Sequence, residues 1–95
     1  KEKQMIELVS IVKTGETWYL NKVVVNSQYI TTVSESREHN TMLKEGKIHM
    51  GLSEHVTFSS ITLNTQSGFD KMIVVGSPEQ LLEKIKRTSK RLLKG

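Results

Sequence analysis

The chain of 95 residues has no cysteine, which excludes a disulfide framework and all thiol chemistry and fits a reducing compartment. Long apolar runs are missing as well. The longest, Met72 to Val75, is far short of a signal-peptide core or a membrane span, so neither secretion nor membrane insertion is expected. No Asn-x-Ser/Thr glycosylation acceptor occurs. Asp70 is the single aspartate and no G-x-S-x-G elbow is present, which leaves little from which to build a Ser-His-Asp nucleophile. The histidines at positions 39, 49 and 55 lack H-x-x-x-H or H-x-H spacing, and with no thiolate beside them a metal site is not expected. Gly15 and Gly76 are isolated turn positions rather than part of a phosphate-cradling glycine motif. From these absences we expect a non-catalytic chain that needs no cofactor and lies in the cytoplasm.

What the chain does have is segregated charge. Lys and Arg number 14 against 10 Asp and Glu, and six of the cations lie in positions 84–95, where no acid occurs. The body before them is slightly acidic. A basic tail on such a body points to an anionic partner, while a formal net charge of +4 is also an ordinary solubility charge.

Length and a 36% hydrophobic content set one small domain, 1–95, with a modest core. Residues 1–4 are expected to be a flexible N-terminus. From Met5 the β-branched residues Ile6, Val9, Ile11 and Val12 read as a strand, closed by turn chemistry at Lys13-Thr14-Gly15-Glu16. Thr17 to Leu20 resumes the extended pattern, with Asn21-Lys22 expected as a short break before Val23, Val24 and Val25. Tyr29 to Val33 makes a third β-prone segment. Residues 35–55 then lose all periodicity and are read as an inserted loop, with a short helical turn over Thr41 to Lys47 ending at Gly46. Val56, Phe58, Ile61 and Leu63 restore β character, with a bulge expected at Ser59-Ser60. Asn64 to Asp70 reads as a wide connection before Met72 to Val75.

The sharpest local signal is Ser77-Pro78-Glu79-Gln80, a capping box with proline at the first helical position. It predicts a helix over 77–93. Leu81, Leu82, Ile85, Leu92 and Leu93 fall in one arc with Ser89 among them, and Lys84, Arg87, Lys90, Arg91 and Lys94 lie opposite. The expected fold is therefore α+β: a small twisted antiparallel sheet of about five strands with one amphipathic C-terminal helix packed on one face. Exposed edges and a small core make a homo-oligomer the expected state.

Two blocks carry a resemblance. Ile6 to Val33, with Tyr19-Leu20-Asn21 followed by Tyr29-Ile30-Thr31-Thr32-Val33, and Ile61-Thr62-Leu63-Asn64 through Ile73-Val74-Val75 into Ser77 to Ile85, resemble the small flagellar FlbD family and its phage and plasmid relatives. The resemblance implies a compact meander plus C-terminal helix and no enzymatic activity. Residues 35–55 depart from it, standing where relatives have a short link.

Binding chemistry is expected in two places. Cations at i, i+3 and i+4 on the terminal helix can track phosphates, and the forks of Arg87 and Arg91 suit bidentate contacts. A solvated polar face is the bland alternative there. The insertion adds Arg37, His39, Lys44, Lys47, His49 and His55, although Glu35, Glu38, Glu45 and Glu54 nearly cancel their charge. Trp18 and Tyr19 fall on opposite faces of their strand, so one of them is left at the surface for stacking on a base. The candidate ligand-binding residues are Arg37, Asn40, Lys44, Lys47, His49, Arg87, Arg91 and Trp18. The expected function is binding or regulation of a phosphate-bearing ligand, nucleic acid or a small nucleotide, including sequestration of a nucleotide signal. The rival is a protein target met through strand edges and the apolar residues Met42, Leu43, Ile48, Met50 and Leu52, part of which are expected to be buried against the chain's own domain or a neighbour.

Overall fold

A computed structural model of the protein describes residues 5–53 and 55–94, with the side chains of residues 88–94 outside the described set. Residues 1–4, expected as a flexible terminus, also lie outside it. Strands β1 (Met5–Thr14) and β2 (Thr17–Asn26) form a hairpin; β3 (Ile30–Glu35), helix α1 (Arg37–Lys44), β4 (Phe58–Thr65), β5 (Gly68–Val75) and helix α2 (Pro78–Lys94) follow. The five strands make one antiparallel sheet in the order β2-β1-β5-β4-β3.

Turn chemistry sets the two hairpins. Gly15, at φ +61, takes the first central position of the two-residue turn between Thr14 and Thr17, which L-residues adopt with difficulty. The expected break at Asn21-Lys22 is absent. All ten residues of β2 pair one-to-one with β1, because both polar residues find partners: Ser10 Oγ donates to the Asn21 carbonyl at 3.2 Å and Lys22 pairs with Glu7 at 3.5 Å. The wide connection expected over Asn64 to Asp70 is also absent. Those residues are strand, and Gln66-Ser67 alone turns the chain, with Thr65 Oγ1 donating to the Gly68 carbonyl at 3.0 Å. The β4–β5 ladder runs regularly past Ser59-Ser60, so no bulge falls there. Ser59 is instead buried, its Oγ donating to the Gly76 carbonyl at 2.7 Å, and the register slips on the other side of β4, between Ile30 and Thr32.

The sheet is curled. In a flat five-stranded sheet the edge strands stand about 19 Å apart at the usual spacing between neighbours. The four steps from Asn26 to Ile30 span at most about 14 Å. Since β2 and β3 are the two edges and only the short 3-10 turn Ser27–Tyr29 joins them, those strand ends are drawn toward each other.

Two cores result, one on each face, following the two-residue period of strand side chains. On one face Ile6 and Leu8 of β1, Ile61 of β4 and Val74 of β5 enclose Leu81 of α2, with Val23, Val25, Val33 and Ile85 packed around them. On the other, Ile11 and Phe58 meet Leu43 of α1 and Ile48, bordered by Trp18, Met50, Ile73 and Val75. A single helix on one face is thus a partial description: the sheet is antiparallel and the class α+β, but a second helix covers the opposite face. The apolar part of the supposed loop made that inevitable. Leu43 and Ile48 are buried in the chain's own core, which satisfies the expectation that part of the segment is covered.

The capping box forms as read. Gln80 N donates to Ser77 Oγ at 3.2 Å and Ser77 N donates to Gln80 Oε1 at 2.9 Å, so α2 starts at Pro78. Its inward arc is narrower than the spacing suggested, since Leu81 is buried while Leu82 remains 50% exposed.

Candidate functional site

Helix α1 begins at Arg37, four residues before the turn expected from sequence, and ends where that turn was expected to end. Gly46 adopts φ +77, its N–H donates to the Leu43 carbonyl at 3.1 Å, and Lys47 N donates to the Met42 carbonyl at 2.8 Å. This is a Schellman cap, in which glycine supplies the left-handed residue. It turns the chain back so that Ile48 joins Leu43 under the helix.

The outer side of α1 carries the site. Arg37, Asn40, Thr41 and Lys44 are spaced i, i+3, i+4 and i+7, one stripe of a helix, and they form one wall of an open groove of about 370 Å³ whose other wall is His55, Val56 and Thr57, with Glu35 at the end. Asn40 fixes the two walls together. Its Oδ1 accepts from Phe58 N at 2.7 Å and its Nδ2 donates to Glu35 Oε2 at 3.4 Å, so Asn40, a candidate ligand residue on the groove wall, is also a brace for the helix. Ser36 N donates to the Phe58 carbonyl at 3.0 Å and Ser36 Oγ lies 2.7 Å from His39 Nδ1, completing the attachment of the helix start.

Three cationic or protonatable side chains converge on this groove. Arg37 makes a long contact with Glu35, 3.9 Å from Nε to the carboxylate, on side chains open to water, where an ion pair holds little. Lys44 and His55 are exposed and make no side-chain ion pair or hydrogen bond among the described residues. His55 belonged to the cationic group seen in the sequence but was not among the candidates; a position one residue before a β-run gave no sign that it would face α1. A second hollow of about 380 Å³ on the other side of the Glu35-Arg37 corner is lined by Ser34, His39, Ser60 and Lys71.

The remaining candidates are elsewhere. Lys47 is paired with Glu45 at 3.1 Å and His49 is exposed, and neither borders the groove. Trp18, the only tryptophan, is the half-buried member of the Trp18/Tyr19 pair; it packs on the Ile11 and Phe58 core with His39 edge-on at 6.0 Å and Lys13 over its ring at 5.6 Å. Tyr19 is the exposed one. On α2, Lys84 does not face water freely, because its Nζ donates to the Glu7 carbonyl at 2.7 Å. Arg87 stands 4.0 Å from Glu83 one turn back, and the Arg91 side chain lies outside the described residues. Of the tail cations whose side chains are described, Lys86 is exposed, Lys84 is held by a backbone carbonyl and Arg87 has only the long contact to Glu83.

Among the described residues there is no group of three or more His, Cys, Asp or Glu that would hold a metal ion, and no helix is long and apolar enough to cross a membrane. Compared with known proteins, the chain matches no family model, no curated protein and no solved structure.

Proposed function

We propose that the protein is a non-catalytic binding protein that holds a small phosphate-bearing molecule, of the nucleotide class, in the groove between α1 and residues 55–57. The observation that carries this reading is the convergence of Arg37, Lys44 and His55 on one concave surface, where Lys44 and His55 have no competing partner among the described residues. Arg37 supplies a planar fork for phosphate oxygens, Lys44 a mobile point charge, and the ring N–H of His55 a third donor. Thr41 and Thr57 line the same walls and add hydroxyls for the polar remainder of the ligand. A groove of this size accepts a mononucleotide-scale ligand and not a duplex. Sequestration of a nucleotide signal in a cytoplasmic setting is the biological form this activity would take, and the FlbD-like resemblance enters only as an expectation of a non-catalytic meander.

Nucleic acid tracked along α2 is the less supported form of the same idea, since Lys84 donates to the Glu7 carbonyl there. Docking to a protein target through the apolar residues of 42–52 has less support, because Leu43 and Ile48 are interior and only the partly buried Met42, Met50 and Leu52 are left to offer. Calorimetric titration with a nucleoside triphosphate and with inorganic phosphate, on the wild type and on Arg37→Glu and Lys44→Glu, tests the proposal. Saturable binding by the wild type, weakened at least tenfold in each variant with melting temperature unchanged, supports it. Binding that survives both substitutions overturns it.

A further inference from the structure

The two edges of the sheet are treated differently by the sequence. Strand β3 is six residues long and carries Glu35 and a register slip, which are usual guards against pairing with another chain. Strand β2 is ten residues long, contains no proline and no irregularity, and exposes Tyr19, Leu20 and Val24. Its one charge, Lys22, is drawn back onto Glu7 of its own hairpin.

The direction of the unpaired backbone groups follows from the hairpin. Residues flanking a two-residue turn form a hydrogen-bonded pair, and such pairs alternate along an antiparallel ladder. Thr17, Tyr19, Asn21 and Val23 therefore point their N–H and C=O groups at β1; the Ser10 hydroxyl donating to the Asn21 carbonyl is consistent with this. Leu20, Lys22 and Val24 point theirs outward, to an edge that no strand among the described residues covers.

We propose that this edge pairs with β2 of a second copy of the chain, about a two-fold axis, to give a continuous ten-stranded antiparallel sheet. Outward-pointing residues must face outward-pointing residues, so only registers whose paired numbers sum to an even value are allowed. Two of these retain nearly the full strand. One sets Lys22 opposite Lys22 of the other copy, a direct like-charge contact. The other sets Asn21 on the axis, Leu20 beside the aliphatic stem of Lys22, Tyr19 beside Val23 and Trp18 beside Val24, with no like charges opposed. Charge selects the second register. Aromatic and β-branched cross-strand neighbours of this kind are favourable pairs, and the exposed Leu20 and Val24 gain neighbours that the single chain does not give them.

Sedimentation equilibrium on the full chain tests this. The wild type should sediment as two 10.8 kDa chains. Asn21→Lys and Asn21→Asp, each placing a like charge against itself on the axis, should each shift toward the monomer, and an equimolar mixture of the two should recover the dimer. Val24→Pro removes an outward N–H while leaving the bonds to β1 intact, and it should be monomeric with an unchanged far-ultraviolet spectrum. A wild type that stays monomeric across the dilution series overturns the proposal, whether another protein or nothing occupies the edge. So does a dimer that tolerates both Asn21 variants and Val24→Pro.

Discussion

Removing the Asn40 side chain should both weaken the fold and open the groove. Asn40 Oδ1 is the acceptor for the N–H of Phe58 at 2.7 Å, and Phe58 is fully buried, with 0% of its surface exposed. In Asn40→Ala that N–H loses its partner in a place where water reaches poorly. An unmet buried donor costs about 1–3 kcal/mol, and at about 4–8 °C per kcal/mol for a domain of this size the melting temperature should fall by roughly 5–20 °C. Asn40→Asp keeps an oxygen at the same position and gives up only the 3.4 Å contact to Glu35, which it replaces with a repulsion between exposed carboxylates. Its loss should be less than half that of alanine. Urea denaturation read by Trp18 fluorescence measures both, because Trp18 sits in the same core as Phe58 and against His39 of α1. If Asn40→Ala stays within about 0.5 kcal/mol of wild type, the ordinary range for a surface change, the brace assigned to Asn40 is wrong and so is the reason α1 holds its place.

Other consequences are checked by the same denaturation assay. Ser77→Ala removes the acceptor for Gln80 N at the start of α2 and should cost about 1 kcal/mol, as cap losses do. Gly46→Ala meets open space but must hold φ +77, which should cost about 1–2 kcal/mol through backbone strain alone. Ile48→Asp buries a charge beside Leu43 and Phe58 and should leave the chain unfolded, where a docking surface at Ile48 would have left it folded and merely unable to bind. Lys44→Glu should alter ligand affinity and leave stability within about 0.5 kcal/mol, since the side chain is exposed and has no partner among the described residues.

How far the sequence carried the fold depended on how local each signal was. The capping box at Ser77 and Gln80 needs only four residues, and it forms as its spacing implies. The turn at Gly15 is equally local. Asn21-Lys22 and Asn64 to Asp70 misled because polar residues in strands look like breaks until the partner strand is known; Glu7 and Ser10, eleven or more residues away in the chain, are what keep β2 continuous. Helix α1 was half visible. Its Gly46 end is marked by composition, but its start at Ser36 has no side-chain cap bond to the helix and relies on the β4 residue Phe58. The site suffered most from that distance. Arg37 and Lys44 were legible only as cations of one segment, because the expected turn began at Thr41 and left Arg37 outside it, and His55 reaches them only through the tertiary return of the chain after Ile48. On α2, the Glu83-Arg87 spacing was legible as a one-turn pair, whereas the Glu7 carbonyl that accepts from Lys84 lies on β1 and has no trace in a helical projection.

The central claim is that phosphate-bearing ligands are held between α1 and residues 55–57. Backbone chemical-shift mapping during titration with a nucleoside triphosphate tests it most directly. The account predicts saturable shifts concentrated at Arg37, Thr41, Lys44 and His55 to Thr57, with α2 unaffected; shifts spread along Lys84 to Arg87 with α1 silent, or no saturable shifts at all, would contradict it.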